Sequence, residues 1–406
     1  MVSERGAIQL RIGLFTDTYD PQINGVVTSI KMLKNQLERQ GHEVWVVAVS
    51  HPDTIVEEGV VRIPSVKALG MGGQRFGVPI STRTMAQLRD LDLDLIHSHT
   101  PFTVGVVGLH MARKKDIPVV HTYHTLYEEY VHYVPFFHGV LKKSMRKYSK
   151  MFCDRHDAIV APSVKIKRIL EGYGASVPIF VVPNGIDLEK FAHFAPSKEE
   201  MSTFREKFGI DGQDKVVLFV GRLAQEKRLE LLLMNFKKVL KKEPKAKLLL
   251  VGDGPQRHWL ERQSYKMGVG DRVIFTGFLD WPRGVALAHR VSHVFVSVSD
   301  TEVHPISFIE AMASGLPVVA FDDDALDGVV AHGQNGYRFS SKLDVWWGIV
   351  SILRDEKLRQ RMSKESQKRA ASFSAETFAE RVLRVYETAM INHAVRREPS
   401  HADTSG

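Results

Sequence analysis

Val216-Val217-Leu218-Phe219-Val220-Gly221-Arg222 is the stretch on which the division of the chain turns. Five apolar residues run unbroken into a glycine and a cation, as a strand buried on both faces does when it ends in a strand-to-helix turn. The same kind of run opens the chain. Leu10-Arg11-Ile12-Gly13-Leu14-Phe15 leads through a turn into a helical pattern from about Gly25 to Gln40, with apolar Val26, Ile30, Leu33 and Leu37. Strand candidates then follow at Val44 to Val49, Val60 to Ile63, Leu93 to His97, Pro118 to His121, Ala158 to Ala161 and Ile179 to Val182. After Val220 they follow again at Lys247 to Val251, Val273 to Phe275, Val294 to Ser297 and Pro317 to Ala320. Helical segments lie between most of them, as crossovers between parallel strands require. The alternation predicts an α/β chain of two Rossmann-like, doubly wound domains.

A length of 406 residues agrees, since it exceeds what one hydrophobic core usually supports. Turn chemistry in Pro183-Asn184-Gly185-Ile186-Asp187 and a polar stretch from Pro196 to Gly212 mark the boundary. The pattern predicts a first domain over 1–195, a second over 196–373, a helix over 374–395 that packs back toward the first domain, and a disordered tail over 396–406. Ser374 is the N-cap candidate for that helix. Hydrophobic residues at 44% and charged residues at 25% sit near the averages of soluble domains, which excludes fibrous and wholly disordered classes. Cys153 is the only cysteine, so no intramolecular disulfide forms, in keeping with a reducing compartment. Met1 to Leu10 lacks the apolar core of a secretory signal and no long apolar run occurs, so a cytoplasmic protein is expected. Lysine and arginine outnumber aspartate and glutamate 55 to 47, a net charge of +8 that favours an anionic partner: nucleic acid, a phospholipid surface or a nucleotide sugar.

The stretch from Asp17 to Val26 links the first strand to its helix, where a doubly wound sheet turns backbone N–H groups and a helix N-terminus toward an anion. Gly25 would let the backbone approach a phosphate there. No G-x-G-x-x-G occurs, so this is not a dinucleotide fingerprint, and a glycine opening a helix is also an ordinary turn residue. Gly221-Arg222-Leu223-Ala224-Gln225-Glu226-Lys227 holds the equivalent place in the second half. Arg222 as a fork and Lys227 as a point charge can converge on one pyrophosphate. A lysine in a first helical turn opposes the helix dipole unless an anion sits there, which favours binding over a pair of solvated cations. Glu302 stands on a loop and Glu310 inside the apolar helix that starts at Ile306. Glu310 is placed to accept both hydroxyls of a ribose and Glu302 a sugar hydroxyl, although two glutamates at this spacing also arise by chance. Asp322-Asp323-Asp324 has the composition of a hard-cation site. It follows a strand as loop acids often do, and no metal is expected there.

Val216 to Arg222, Leu250-Val251-Gly252-Asp253-Gly254-Pro255, Thr301-Glu302 and the run from Glu310 to Ala320 together resemble glycosyltransferase family 4, over about Leu10 to Tyr386. The resemblance implies the GT-B fold, two domains facing across a cleft, and transfer of a hexose from a nucleotide diphosphate sugar with retained configuration. It implies no cofactor and no metal ion, the nucleotide sugar being a co-substrate. Arg222 and Lys227 would bind the donor pyrophosphate, Glu310 the ribose, Glu302 the transferred sugar and the Gly25 N–H a phosphate. Gly277, Phe278, His304 and Ile306 would complete the donor site. Pro305 stands where the family usually has a glycine, which removes a backbone donor from that loop. His304 either replaces one of the lost contacts or is a surface histidine.

On the acceptor side, His121-Thr122-Tyr123-His124-Thr125 follows a strand, and a histidine at such a carboxyl end can face a ligand. His97 and His121 read equally well as core histidines. The resemblance puts His124 in the active site beside the reacting sugar, catalytic with Glu302, and leaves its proton role open; His99, from the neighbouring strand end, is a second candidate. The run from His121 to Tyr133 resembles the bacterial diacylglycerol glucosyltransferases, which implies UDP-glucose as donor and a lipid acceptor near Tyr127. Helical spacing from Phe136 to Phe152 puts Phe137, Leu141, Met145, Tyr148 and Phe152 on one stripe and Lys142, Lys143, Arg146, Lys147 and Lys150 opposite. Such a helix either lies on anionic lipid or packs its apolar stripe on the domain with solvated cations outside. The expected function is transfer of a hexose, with UDP-glucose as the donor, to a membrane lipid such as diacylglycerol, at the inner face of the cell membrane. The alternatives are a soluble family 4 transferase with a sugar or small-metabolite acceptor, a phosphatidylinositol mannosyltransferase, and a non-catalytic nucleotide-sugar-binding protein. The joint presence of His124, Glu302, Glu310, Arg222 and Lys227 speaks against the last. Nucleic acid is not expected, because the cations cluster in one helix without a recognised binding module.

Overall fold

The computed structural model describes residues 9–22, 24–54, 56–67, 75–78, 82–126, 138–303 and 306–397. The chain forms two compact units, Met1–Gly185 with Ala375–Gly406, and Ile186–Ser374.

The strands of the first unit are, in chain order, β1 (Arg11–Thr16), β2 (Glu43–Val49), β3 (Val60–Ile63), β4 (Ser65–Lys67), β5 (Arg75–Gly77), β6 (Leu95–Ser98), β7 (Val119–Thr122), β8 (Ala158–Ala161) and β9 (Ile179–Val181). β4 and β5 make a small antiparallel pair. The other seven form one sheet in the order β3-β2-β1-β6-β7-β8-β9, with parallel pairing throughout. β1 explains why the sequence reads as continuously apolar. Ile12 and Leu14 point to one face, against Val27, Ile30, Leu33 and Leu37 of the helix Gly25–Arg39 and Phe378, Val382, Val385 and Tyr386 of the helix Ala375–Arg397. Phe15 points to the other, against Val104, Leu109 and Met111 of the helix Thr103–Lys115. Each such side chain contributes roughly 1.5–3 kcal/mol by burial, so both faces hold the strand in place.

The second unit repeats the scheme with β10 (Lys215–Val220), β11 (Ala246–Val251), β12 (Val273–Gly277), β13 (Val294–Ser297), β14 (Val318–Phe321) and β15 (Gly336–Phe339), ordered β12-β11-β10-β13-β14-β15 and all parallel. Val217 and Phe219 of β10 pack with Leu232 and Phe236 of the helix Leu229–Lys242 and Ile349 and Ile352 of the helix Val345–Arg354.

In both sheets the first strand is flanked by its successor on one side and a later strand on the other: β1 lies between β2 and β6, and β10 between β11 and β13. The chain leaves such a pair in opposite directions, which opens a crevice beyond their carboxyl ends, the usual place for a ligand. Gly252 shows how close the backbones come there. It has φ 124, and a Cβ on it would lie 2.1 Å from the Gly221 carbonyl oxygen. The Gly252 N–H donates to the Gly277 carbonyl at 3.0 Å, so the Gly-Asp-Gly-Pro motif locks the ends of β10, β11 and β12 together.

Candidate active site

In the second unit β10 ends at Val220, and Arg222 is exposed just beyond it. Lys227 does not belong to the first turn of the following helix, as its spacing suggests. It closes a separate 3-10 turn, Gln225–Lys227, which Arg228 ends in the left-handed region at φ 52 before Leu229–Lys242 begins. Its charge is answered by a carboxylate: Lys227 Nζ donates to Glu302 Oε1 at 2.6 Å, with the two side chains only 22% and 12% exposed. The Glu302 loop is fastened to the same turn, because Ser299 Oγ and Thr301 Oγ1 both donate to the Glu226 carbonyl, at 3.5 and 3.4 Å.

Glu310 lies in the helix Ile306–Ala313 and is buried. Its Oε1 accepts from Trp281 Nε1 at 3.0 Å. Burial pushes its pKa up to about 7, against the opposing pull of that indole bond. Gly277, at φ 71, ends β12, and Phe278, which is 81% exposed, and Trp281 follow it. Trp281 packs near Phe191, centroids 6.4 Å apart, and Lys190 Nζ lies 5.2 Å from its ring centroid. Asp322 and Asp323 are engaged locally: Asp322 accepts from Arg338 Nε at 2.6 Å, and Asp323 caps the Ala325 N–H at 2.7 Å. Among the described residues no group of three His, Cys, Asp or Glu side chains is arranged to hold a metal.

In the first unit the turn after β1 is organised by two side chains. Asn24 caps the helix Gly25–Arg39 by accepting from Val26 and Val27 N–H, both at 3.0 Å, and its carbonyl accepts from Thr28. Of the first-turn donors, exposed Gly25 is the one this cap does not use. Buried Asp17 accepts from Thr100 Oγ1 at 2.6 Å, from Thr103 Oγ1 and from Val104 N–H at 3.0 Å, which joins the β1 turn to the one after β6. Burial raises its pKa, with those bonds opposing. Beyond β6 and β7, His99 Nδ1 and His124 Nε2 are 3.0 Å apart. His97 and His121 are core residues with hydrogen-bonded rings. His97 meets Tyr386 Oη and Thr122 Oγ1, both at 2.7 Å, and His121 Nδ1 meets Ser98 Oγ at 2.8 Å.

The basic stretch forms the helix His138–Cys153. Phe152 is buried beside Tyr148 and His121, so this part of the apolar stripe packs on the unit. Lys150 pairs with Asp154, and Arg146 lies over the Tyr173 ring at 5.8 Å. Lys143 and Lys147 are exposed and Lys142 half-buried. Tyr127, Phe136, Phe137, His304 and Pro305 lie outside the described residues.

Family models match both units: Glycosyltransferase Family 4 over residues 23–190 and Glycosyl transferases group 1 over residues 200–369. The chain is 34% identical to the alpha-monoglucosyldiacylglycerol synthase of Streptococcus pneumoniae, over 97% of this chain and 89% of that one. The chain belongs to glycosyltransferase family 4. A second alpha-monoglucosyldiacylglycerol synthase, from Acholeplasma laidlawii, is 29% identical over 93% of this family 4 enzyme and 96% of its own length. Among solved structures, Anabaena Alr3699/HepE in complex with UDP-glucose superposes with a TM-score of 0.75 at 19% identity, covering 94% of this chain and all, 100%, of the other. That likeness gives the fold, GT-B, which the two doubly wound sheets already display. Among the described residues no helix of this enzyme is long and apolar enough to cross a membrane.

The structure thus brings together two pairs of sequence-predicted residues, Lys227 with Glu302 and His99 with His124. Sequence reasoning missed Trp281 and Asp17. Asp17 carried a signal, as a carboxylate directly after the first strand; Trp281 carried none that separates it from a surface tryptophan.

Proposed function

We propose that this family 4 enzyme transfers glucose from UDP-glucose, with retention, to a membrane lipid acceptor such as diacylglycerol. The observation that carries the reading is the similarity through both units to two alpha-monoglucosyldiacylglycerol synthases. UDP-glucose bound to the structurally similar Anabaena protein supports the donor. Arg222 and Lys227 hold the pyrophosphate, Glu310 the ribose diol, and Glu302, once its lysine has turned to phosphate, a glucose hydroxyl. Gly277, Phe278 and Ile306 border the donor, and the Gly25 N–H supplies one uncharged donor to a phosphate oxygen. In the reaction the bond from the anomeric carbon to the β-phosphate oxygen breaks, and a bond to the acceptor oxygen forms on the same face. The acceptor proton passes to the departing phosphate, whose charge the two cations stabilise.

The helix His138–Cys153 supports the membrane side of the proposal through Lys143 and Lys147, exposed on its outer face. Each cation near an anionic surface contributes about 1 kcal/mol. The test is to incubate purified protein with labelled UDP-glucose or GDP-mannose and vesicles of diacylglycerol in anionic phospholipid, then extract the lipid. Glucose label in the organic phase, α-linked by NMR, is expected. Label confined to the aqueous phase refutes a lipid acceptor, and incorporation from GDP-mannose alone refutes the donor.

A further inference from the structure

Among the described residues, His99 has one ring nitrogen in use and one without a partner. Its ring is buried and lies on the ring of His97, centroids 4.1 Å apart and 35° between planes. His97 is itself held at both nitrogens, by Tyr386 and Thr122, so the stack gives His99 a fixed seat. From that seat Nδ1 meets His124 Nε2 at 3.0 Å, the two rings close to parallel at 21°. Among the described residues, the buried His99 Nε2 has no hydrogen-bond partner.

Burial holds both imidazoles neutral, His99 well below its ordinary value and His124 down to about 3. A hydrogen bond between two neutral imidazoles needs one nitrogen with its proton and one bare, so the tautomer of either ring dictates that of the other. If His99 carried its proton on Nε2, a buried N–H would be left with no acceptor. With the proton on Nδ1, only a bare lone pair is left there, and unsatisfied buried acceptors are tolerated more often than orphaned N–H groups. We propose that His99 is a positioning residue that donates from Nδ1 to His124 Nε2, and so fixes His124 as the Nδ1–H tautomer. His124 then presents an N–H to the reaction and acts as a hydrogen-bond donor to a sugar or phosphate oxygen, not as the base. The inference rests on the active-site reading of His124 and deepens it, since the acceptor proton must go elsewhere, to the departing phosphate.

The test begins with wild-type protein carrying 15N-histidine at neutral pH without substrate, the His124 signals being assigned by their loss in His124→Gln. Long-range proton–nitrogen spectra should show His124 Nδ1 protonated and Nε2 bare; the reverse pattern overturns the proposal. His99→Phe keeps a stacking ring but removes the donor, whereas His99→Asn keeps an N–H near the place of Nδ1. With UDP-glucose and diacylglycerol vesicles, His99→Phe should lower kcat by about 10- to 100-fold, by analogy with the loss of a partner that orients a metal-bound histidine. KM for UDP-glucose should not change, and His99→Asn should recover most of the rate and the wild-type His124 pattern. Full kcat in His99→Phe, with His124→Gln inactive, overturns the role of His99 and leaves the active-site reading standing. Full activity in His124→Gln overturns both. Should His99→Phe fail to fold, the wild-type spectrum and the His99→Asn variant still decide.

Discussion

With Lys227 holding the donor pyrophosphate as proposed, removing its acidic partner should tighten nucleotide binding. In the resting enzyme Lys227 Nζ is bonded to Glu302 Oε1 at 2.6 Å with both side chains largely sheltered, so an incoming pyrophosphate competes with a carboxylate already in place. Glu302→Gln keeps the shape and leaves a neutral amide against the lysine. A charge-assisted bond contributes about 1.5–3 kcal/mol and a neutral one about 0.5–1.5, so the competitor weakens by roughly 1–2 kcal/mol. UDP should therefore bind roughly 5- to 30-fold more tightly to Glu302→Gln than to wild type. UDP-glucose should gain less, because it forfeits the bond from its sugar to Glu302, and turnover should fall. Calorimetry with UDP and UDP-glucose on both proteins reads all three quantities. The cycle closes with Lys227→Met, in whose background the Glu302→Gln gain should vanish. UDP binding that is unchanged or weaker in Glu302→Gln refutes the competition, and with it the placement of pyrophosphate on Lys227.

Arg222→Ala should weaken UDP by about 1.5–3 kcal/mol, through loss of a charge-assisted bond to the pyrophosphate, read by the same calorimetry. Glu310 makes donor affinity depend on pH. Its folded pKa is raised to about 7, so the stability it contributes is complete below the ordinary carboxylate range and declines as pH rises through 7, while a ribose diol favours the ionised form; UDP affinity should rise from pH 6 to 8 and flatten in Glu310→Gln. The buried imidazoles act with the opposite sign. Burial lowers His124 to about 3 and His156 to about 4, so the unfolded chain takes up protons first, and melting temperature should fall as pH drops below about 6.5, with a flat response between pH 6.5 and 5 refuting their neutrality.

The fold was legible because β1 and β10 are buried on both faces, and that requirement leaves an unbroken apolar run in the sequence. Strand ends were legible for the same reason, and with them the general place of Arg222, Glu302 and His124. Strand order was not. That β1 lies beside β6, and β10 beside β13, follows from pairing across long separations, and the chain carries no local mark of it. The role of the glycines in Gly252-Asp253-Gly254 was read as part of a family pattern, yet its cause is steric, a Cβ at Gly252 falling on the Gly221 carbonyl. For the apolar stripe read from Phe137 to Phe152, spacing alone gives no sign of what covers it; the structure puts Phe152 against His121.

What the sequence hides most completely is partnership, because it joins residues from different strand ends. Lys227 and Glu302 are 75 positions apart, Trp281 and Glu310 29, His99 and His124 25. Each pair joins a predicted binding or catalytic group to a neighbour that satisfies it in the resting state. There is a physical reason for the pattern. A sheltered charge or polar group without a partner costs more than most single contacts contribute, so the groups proposed to hold a pyrophosphate and a diol are held meanwhile by protein groups of matching polarity. On the proposed donor site, ligand entry in the second unit is an exchange, phosphate for Glu302 and ribose for Trp281, and its free energy is the difference between two good sets of bonds. Such a difference responds to removal of the resident partner with the opposite sign from removal of the binding group. Glu302→Gln and Lys227→Met should therefore move UDP affinity in opposite directions, although both delete one end of the same bond.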